Sequence, residues 1–194
     1  MLKLILVRHG QTKSNKIGAF VGHTDVPLNR TGIEEAIEVA DKLRDEAIDK
    51  IYCSPLKRAR ETASIIHEIF PKEIIFDEAL KEINFGLWDN LTYKEIEERY
   101  PKEHSEWIKG KADFIFPEGE SVIEAYTRHK SFLDKILKEE GIFLIVAHGG
   151  FIRNAISMLL GMNAEDSWHF KVDNGSISEV EITEGYVVVK GLNR

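Results

Sequence analysis

Short apolar runs and helically spaced apolar positions alternate along this chain. Residues 2–7, 50–53 and 142–147 form nearly continuous apolar runs of the length of buried strands. Residues 73–76 predict a further short strand, and residues 176–182 and 186–190 predict a closing hairpin around Gly185. Because strands alternate with helices, we expect one domain over residues 1–194. Its predicted fold class is α/β, a three-layer α/β/α arrangement with a mainly parallel central sheet whose last strand or two run antiparallel.

Apolar positions three and four residues apart predict the helices between these strands. Thr31 and Glu34 have the spacing of a capping box and open the first of them. The predicted apolar face of that helix consists of Ile33, Ala36, Ile37, Ala40 and Leu43. The other predicted helices are one with apolar positions from Ala59 to Phe70, a short one capped by Thr92 and Glu95, one capped by Ser121 and Glu124, and one over 151–160.

Composition and charge narrow the class of protein. The 194 residues are 43% hydrophobic and 30% charged, which is ordinary for a globular domain. The first apolar run spans only six residues before Arg8, too short for a signal sequence or a membrane span, so we expect a cytoplasmic protein without a membrane partner. The net charge of −7 argues against nucleic acid as a partner but permits an anionic substrate, because a few arginines set the potential of a cleft. The single cysteine, Cys53, excludes an internal disulfide and is expected to be a buried thiol.

Histidine and arginine side chains follow three predicted strands at their carboxyl ends. Arg8 and His9 come directly after the first run, Arg58 follows the second, and His148 follows residues 142–147. The carboxyl ends of parallel strands open onto a common crevice, so we expect these side chains to converge. Gly10 permits the turn that brings Arg8 and His9 to one site. Two guanidiniums and two imidazoles suit a phosphoryl group, because arginine binds phosphate oxygens in a bidentate manner.

Five motifs stand in a fixed order along the chain. They are residues 8–12 with Asn15, residues 54–59 with Thr62 and Ala63, residues 82–88, residues 116–121 and residues 147–150. With these motifs the sequence resembles the histidine phosphatase superfamily, which also contains the cofactor-dependent phosphoglycerate mutases. The likeness covers nearly the whole chain, and it implies a phosphoglycerate mutase-like fold and a phosphatase that needs neither a metal ion nor a cofactor. One departure is Gln11, where many relatives have glutamate, so no role is assigned to that position.

The resemblance implies a role for each site residue. His9 would attack phosphorus and form a phosphohistidine, which divides one hard step into two. Glu82 would protonate the leaving oxygen and then deprotonate the attacking water. The groups that would meet the charge of the equatorial oxygens are Arg8, Arg58, His148, Asn15 and the Gly149 N–H. Gly22 and His23, in the loop after the first strand, are candidate substrate contacts.

Each of these roles competes with a purely structural interpretation. Asparagine favours turns, so the role of Asn15 could be limited to fixing the loop after the first strand. Without the resemblance, Glu82 would be interpreted as a solvated surface charge. His148 could hydrogen-bond the strand end, and Arg58 belongs to an ordinary basic cluster. A position near a helix N-terminus favours an anion site for Arg58, because the helix N–H groups and dipole act in the same direction. His129, on the apolar face of its helix, is predicted to have no chemical role.

Rival functions fit the sequence less well. The chain has no HExxH motif, no Gly-x-Ser-x-Gly elbow and no phosphate-binding P-loop. A non-catalytic phosphate-binding module would be expected to lack His9 or Glu82. A phosphoglycerate mutase would need a long insertion and a C-terminal tail, and the chain passes quickly from Trp88 to Pro117 and stops at Arg194. We therefore expect a phosphomonoesterase acting on a small phosphorylated metabolite, with the mutase as the alternative.

The resemblance does not decide the substrate. The motifs at 82–88 and 116–121 are most similar to broad-specificity phosphatases and to the α-ribazole-5′-phosphate phosphatases of cobalamin synthesis. The irregular middle segment is expected to line the substrate pocket, and its conformation does not follow from periodicity. The oligomeric state is equally open, with a homodimer as one option.

Overall fold

A six-stranded mixed sheet forms the centre of the protein in a computed structural model that describes all 194 residues. The strands are β1 (Leu2–Arg8), β2 (Lys50–Cys53), β3 (Ile74–Phe76), β4 (Gly141–Ala147), β5 (Ile177–Thr183) and β6 (Tyr186–Gly191). Their order across the sheet is β3-β2-β4-β1-β5-β6. The first four strands in the sequence run parallel, whereas β5 pairs antiparallel with both β1 and β6. The predicted sheet, mainly parallel with an antiparallel end, is confirmed.

Seven α-helices and three 3₁₀ turns connect the strands. The helices are α1 (Lys13–Lys16), α2 (Arg30–Lys42), α3 (Lys57–His67), α4 (Tyr93–Arg99), α5 (Pro101–Trp107), α6 (Val122–Ile136) and α7 (Gly149–Leu159). The 3₁₀ turns are Glu78–Leu80, Gly86–Trp88 and Glu165–His169. Both predicted capping boxes at Thr92 and Ser121 are present, each hydroxyl accepting a hydrogen bond from the N–H three residues later. None of the helices has the length and apolar character needed to cross a bilayer.

Side chains of β1 alternate between two apolar cores, which produces the three layers. Leu4 and Leu6 pack with side chains of α6 and α7, whereas Ile5 and Val7 pack with side chains of α2 and α3. All four residues are fully buried. Two helices therefore cover each face of the sheet, and β1 lies at its middle, so the residues after β1 emerge at the centre of the sheet edge.

Helix α2 differs from its prediction in its cap and in its buried face. Its N-cap is Asn29 rather than Thr31, and the Asn29 side chain accepts the hydrogen bond that closes the first turn. Ile33 and Ile37 are 46% and 49% exposed. At about 100° per residue they lie to one side of the face that packs on the sheet. That face consists of Gly32, Ala36, Val39, Ala40 and Leu43.

The irregular segment between β3 and α6 packs into a third apolar cluster. Trp88 is fully buried at its centre, and its ring centroid is 5.3 Å from that of Phe116. Trp107 packs edge-to-face on Trp88 and Phe20 at 5.6 Å, as expected for a packed tryptophan rather than a ligand-stacking one. This cluster places Phe20 and residues 82–85 beside the carboxyl end of β1.

Candidate active site

A cavity of about 360 Å³ opens where β1 and β4 end. Arg8 and Ala147 are paired in the register of these two strands, so His9 and His148 leave neighbouring parallel strands together. Their ring centroids lie 5.0 Å apart. Arg8, His9, Asn15, Glu82 and Gly149 all line the cavity. The structure thus brings together residues from opposite ends of the chain, as the strand-end argument predicted.

His9 is held as a neutral imidazole whose Nε2 lone pair accepts a hydrogen bond from Arg58. Its Nδ1 lies 2.8 Å from the Gly10 carbonyl, and its Nε2 lies 3.1 Å from Arg58 Nε. The guanidinium can only donate, so Nε2 is the acceptor and the proton resides on Nδ1, which donates to Gly10. Burial, together with the charges of Arg58 and Arg8, lowers the pKa of His9 well below its ordinary value. The imidazole therefore stays uncharged at neutral pH and presents Nε2 as a nucleophile.

Arg58 is fully buried as the second residue of α3, and backbone carbonyls hold its guanidinium. Its Nη2 donates to the carbonyls of Gly22 at 2.7 Å and Val21 at 3.3 Å, and its Nη1 donates to that of Thr24 at 3.1 Å. Burial lowers the pKa of Arg58 to about 10, which leaves the group charged at neutral pH. A buried cation without a carboxylate partner is available to an anionic ligand.

Two buried nitrogens at the site have no partner within the protein, Arg8 Nε and His148 Nδ1. The Nη1 of Arg8 donates to the Val172 carbonyl at 2.6 Å, and His148 Nε2 lies 2.7 Å from the Ser54 hydroxyl. Burial lowers the pKa of both Arg8 and His148, so the histidine is neutral. Unsatisfied buried donors are rare and costly in folded proteins. An anion with several oxygen acceptors would satisfy them.

Glu82 lines the cavity, and its carboxyl group lies against the N-terminus of α7. The Gly150 N–H donates to both carboxyl oxygens at 3.1 Å, and the Ile83 N–H donates to Oε1 at 2.8 Å. A Cβ atom at Gly150 would lie only 2.1 Å from Oε1. The absence of a side chain at Gly150 therefore lets the carboxyl group reach the helix end.

Arg128, on α6, fixes the backbone on which Glu82 stands. Its Nη1 donates to the carbonyls of Ala79 at 3.1 Å and Lys81 at 2.9 Å. Its Nη2 donates to the Glu82 carbonyl at 3.1 Å and to Glu120 Oε1 at 2.6 Å. One guanidinium thus binds the candidate acid's own carbonyl and two carbonyls that precede it. The sequence did not single out this residue, since its partners are backbone atoms that only the fold brings together.

His129 follows Arg128 on α6 and, as expected, lies outside the cavity. It is fully buried, its Nε2 donates to the Lys81 carbonyl at 2.9 Å, and its Nδ1 accepts from the Asn154 amide at 2.9 Å. Burial lowers the pKa of His129 to about 3, so it is neutral in the folded protein. It holds the segment that precedes Glu82.

The loop residues predicted to touch substrate have mixed outcomes. Asn15 lines the cavity, although its Oδ1 also accepts the Thr12 N–H and so closes a capping box on α1. Gly22 and His23 are not among the residues that line the cavity, and their role as substrate contacts stays a prediction. The Gly22 carbonyl is bound by Arg58 and its N–H donates to Asp89, while His23 Nε2 donates to the Glu82 carbonyl at 2.9 Å. Both residues support the side chains of the site.

The remaining cavity wall contains residues that the sequence did not reveal. They are Phe20, Phe85, Arg153, Trp168 and Asn174, with the small residues of the 18–21 loop. Arg153 had a usable signal, because it lies four positions after Gly149 on α7 and helical residues four apart share a face. Trp168 and Asn174 lie in turns whose place is set by distant packing, and no local pattern indicates them. The structure contains no group of three or more His, Cys, Asp or Glu side chains placed to hold a metal ion.

Known proteins match this chain along its whole length. A profile of the histidine phosphatase superfamily (branch 1) matches residues 4–194. The chain is similar to phosphoserine phosphatase 1 of Hydrogenobacter thermophilus, at 34% identity over 100% of this chain and 92% of that protein. It is similar to the adenosylcobalamin/alpha-ribazole phosphatase of Salmonella typhimurium, at 32% identity over 99% and 96%. Its structure is similar to that of the alpha-ribazole phosphatase of Shigella flexneri, with a TM-score of 0.93 at 30% identity over 100% and 96% of the two chains. Each match extends across every element that contributes to the cavity.

Proposed function

This chain belongs to the histidine phosphatase superfamily and is a phosphatase of small phosphorylated metabolites, and we propose that it acts through a phosphohistidine on His9. The observation that carries the proposal is the state of His9, a buried neutral imidazole whose Nδ1–H is fixed on Gly10 and whose Nε2 faces a cluster of cations. Attack on phosphorus needs no base to deprotonate Nε2, only the release of its hydrogen bond from Arg58.

The first half of the reaction forms the phosphoenzyme. The Nε2 lone pair attacks phosphorus, the bond between phosphorus and the ester oxygen breaks, and the leaving oxygen takes a proton from Glu82. The Nδ1–H remains bonded to the Gly10 carbonyl and stabilises the positive charge that the ring acquires. In the second half, water attacks phosphorus while Glu82 accepts its proton, and the bond between nitrogen and phosphorus breaks. Inorganic phosphate leaves, and His9 returns to its neutral form.

Donors at fixed positions would stabilise the charge on the transferring group. Arg8 Nε and His148 Nδ1 are buried atoms of the site without protein partners. The Gly149 N–H belongs to the first turn of α7, where helical N–H groups have no helical acceptor. Arg58 adds a buried charge beside Nε2, and the Asn15 amide reaches the same cavity. Such preorganised donors are worth several kcal/mol in transition-state stabilisation.

The substrates that we propose are phosphate monoesters of small alcohols, with phosphoserine and α-ribazole 5′-phosphate as the first candidates, since relatives are named for them. A phosphoglycerate mutase is the weaker alternative. The net charge of −7 supports a protein without a nucleic-acid partner. We keep the cytoplasm as its proposed compartment.

The test is to trap the phosphoenzyme. Rapid acid-free quenching with a phosphorus-labelled substrate should leave label on the protein that is lost in acid and survives base, the stability expected of a phosphohistidine. His9→Ala should abolish this labelling, whereas His67→Ala, the same change outside the cavity, should retain it. Undiminished labelling of the His9→Ala protein would contradict the proposal.

A further inference from the structure

Arg153 presents a third guanidinium to the cavity, apart from the two beside His9. It lies one helical turn after Gly149 on α7 and lines the same cavity. Its Nε donates to the Phe170 carbonyl at 3.0 Å, and its guanidinium carbon lies 5.1 Å from the centre of the Trp168 ring. One hydrogen bond and one aromatic face therefore fix the plane of this group without using its outer nitrogens.

The outer nitrogens of Arg153 bond to nothing in the protein. The only hydrogen bond of this side chain is the one from Nε, and it forms no ion pair with a carboxylate. Arg128, the other half-buried arginine near Glu82, has all of its Nη capacity directed to carbonyls and to Glu120. Arg153 thus differs from a structural arginine, because its bidentate edge is left for a ligand.

The order of groups along the cavity indicates which part of a substrate meets Arg153. The phosphoryl group belongs at His9, Arg8 and Arg58, and the leaving oxygen belongs at Glu82. The alcohol portion must then occupy the remaining wall, where Phe20, Phe85 and Trp168 are apolar and Arg153 carries the only positive charge. Burial lowers the pKa of Arg153, and the charge of Glu82 raises it. Arg153 therefore lies close enough to the catalytic carboxyl group to interact with it electrostatically.

We propose that Arg153, backed by Trp168, binds a carboxylate on the leaving alcohol, which makes the phosphate esters of hydroxy acids the preferred substrates. The proposal rests on the proposed function, since it assigns the far end of a substrate whose phosphoryl group is at His9. A carboxylate matches the planar fork of a guanidinium with two parallel hydrogen bonds. A cavity of about 360 Å³ is near the lower limit for small-molecule sites, which fits an alcohol of amino-acid size.

The experiment compares substrates that differ only in the carboxylate. kcat/KM is measured for phosphoserine against phosphoethanolamine, and for 3-phosphoglycerate against glycerol 3-phosphate. A charge-assisted bidentate contact predicts a preference of about 10- to 100-fold for the carboxylate-bearing member of each pair. In Arg153→Gln both preferences should fall towards one. Arg60→Gln, the same change at an exposed arginine outside the cavity, should preserve them.

Several results would overturn this assignment. A wild-type enzyme without a preference in either pair would do so, as would an Arg153→Gln protein that keeps the wild-type ratios. A larger Arg153-dependent preference for 2,3-bisphosphoglycerate than for 3-phosphoglycerate would assign the group to a second phosphate instead. If Arg153→Gln does not fold, Arg153→Lys is measured in its place, because it keeps the charge but loses the fork, and the ratios must fall there too.

Failure of the underlying function would be separately visible. Hydrolysis of p-nitrophenyl phosphate, which has no carboxylate, reports the phosphoryl site alone. An enzyme that is inactive on this ester and forms no phosphohistidine would contradict the proposed function. An enzyme that is active on it but indifferent to the carboxylate would contradict only the role of Arg153.

Discussion

Gly150→Ala should disable proton transfer by Glu82 while leaving the phosphoryl site intact. The added Cβ would lie 2.1 Å from Glu82 Oε1 and 3.1 Å from Ile83 Cγ1. An ordinary van der Waals separation begins near 3.4 Å. The carboxyl group would therefore have to move by more than about 1 Å, because the backbone of α7 is fixed by its own hydrogen bonds and cannot withdraw.

The size of the effect follows from that displacement. Moving the carboxyl group breaks both contacts at 3.1 Å from the Gly150 N–H and withdraws the acid from the leaving oxygen. A misplacement of about 1 Å costs roughly 100-fold in rate, and general acid catalysis is worth about 100- to 10,000-fold. We expect kcat/KM for alkyl phosphates to fall about 100-fold. Aryl phosphates should lose about 10-fold or less, because their leaving groups need little protonation.

The assay is kcat/KM across alkyl and aryl phosphates of graded leaving-group pKa, with Glu82→Gln measured in parallel. Both variants should show a steeper dependence on leaving-group pKa than the wild type. Gly161→Ala is the matched control, since it adds the same methyl group just beyond the same helix, where no atom lies within 4 Å of the new Cβ. Its φ of +71° makes it less stable, so it separates lost stability from lost proton transfer.

Equal losses on alkyl and aryl esters would refute this reasoning, because they would indicate damage to phosphoryl binding rather than to the acid. An unchanged leaving-group dependence in Gly150→Ala, combined with a steep one in Glu82→Gln, would show that the carboxyl group adapts to the methyl group without losing its function.

Two further predictions concern the support of the site. Arg128→Met removes four hydrogen bonds around the Glu82 segment. It should therefore reduce kcat/KM for alkyl phosphates at least about 10-fold more than for aryl phosphates, and Arg128→Lys should recover part of the loss. Parallel losses in both series would contradict a positioning role for Arg128. Burial gives His129 a pKa of about 3 in the folded protein, below its pKa in the unfolded chain, so the unfolded state binds the proton first as the pH drops. The free energy of unfolding should therefore fall between about pH 6.5 and pH 3, and this residue contributes up to about 5 kcal/mol of that loss. Urea titrations should give a shallower pH dependence for His129→Gln than for the wild type, and identical slopes would contradict this prediction.

The strand ends were predictable because they depend on local sequence and on one rule of topology. Residues 2–7 and 142–147 are apolar enough to be buried strands, and parallel neighbours deliver His9 and His148 to one edge of the sheet. The cap of α2 was predicted wrongly because Asn29 and Thr31 both have side chains that can cap, and the choice depends on where the chain leaves the preceding loop.

The far wall of the cavity could not be predicted in the same way. Trp168 and Asn174 lie in turns positioned by contacts with residues far away in the sequence, so no periodicity marks them. The partner of His23, the Glu82 carbonyl, was equally unpredictable, because a histidine in a loop gives no sign of the group that it bonds. Sequence patterns thus predicted which side chains converge at the strand ends, whereas the far wall of the cavity required the packed structure.

Backbone carbonyls hold the guanidiniums of Arg8 and Arg58, and this arrangement affects how the product binds. Arg8 is half-buried and Arg58 is fully buried, and the guanidinium of each is bound only by neutral atoms of the protein, so their charge is not cancelled before a ligand arrives. Free inorganic phosphate offers these groups the same oxygens as the substrate. Phosphate should therefore inhibit competitively and stabilise the folded protein against heat, since a ligand that binds only the native state shifts the folding equilibrium. The rate in a cell then depends on the phosphate concentration around the enzyme as well as on the supply of ester.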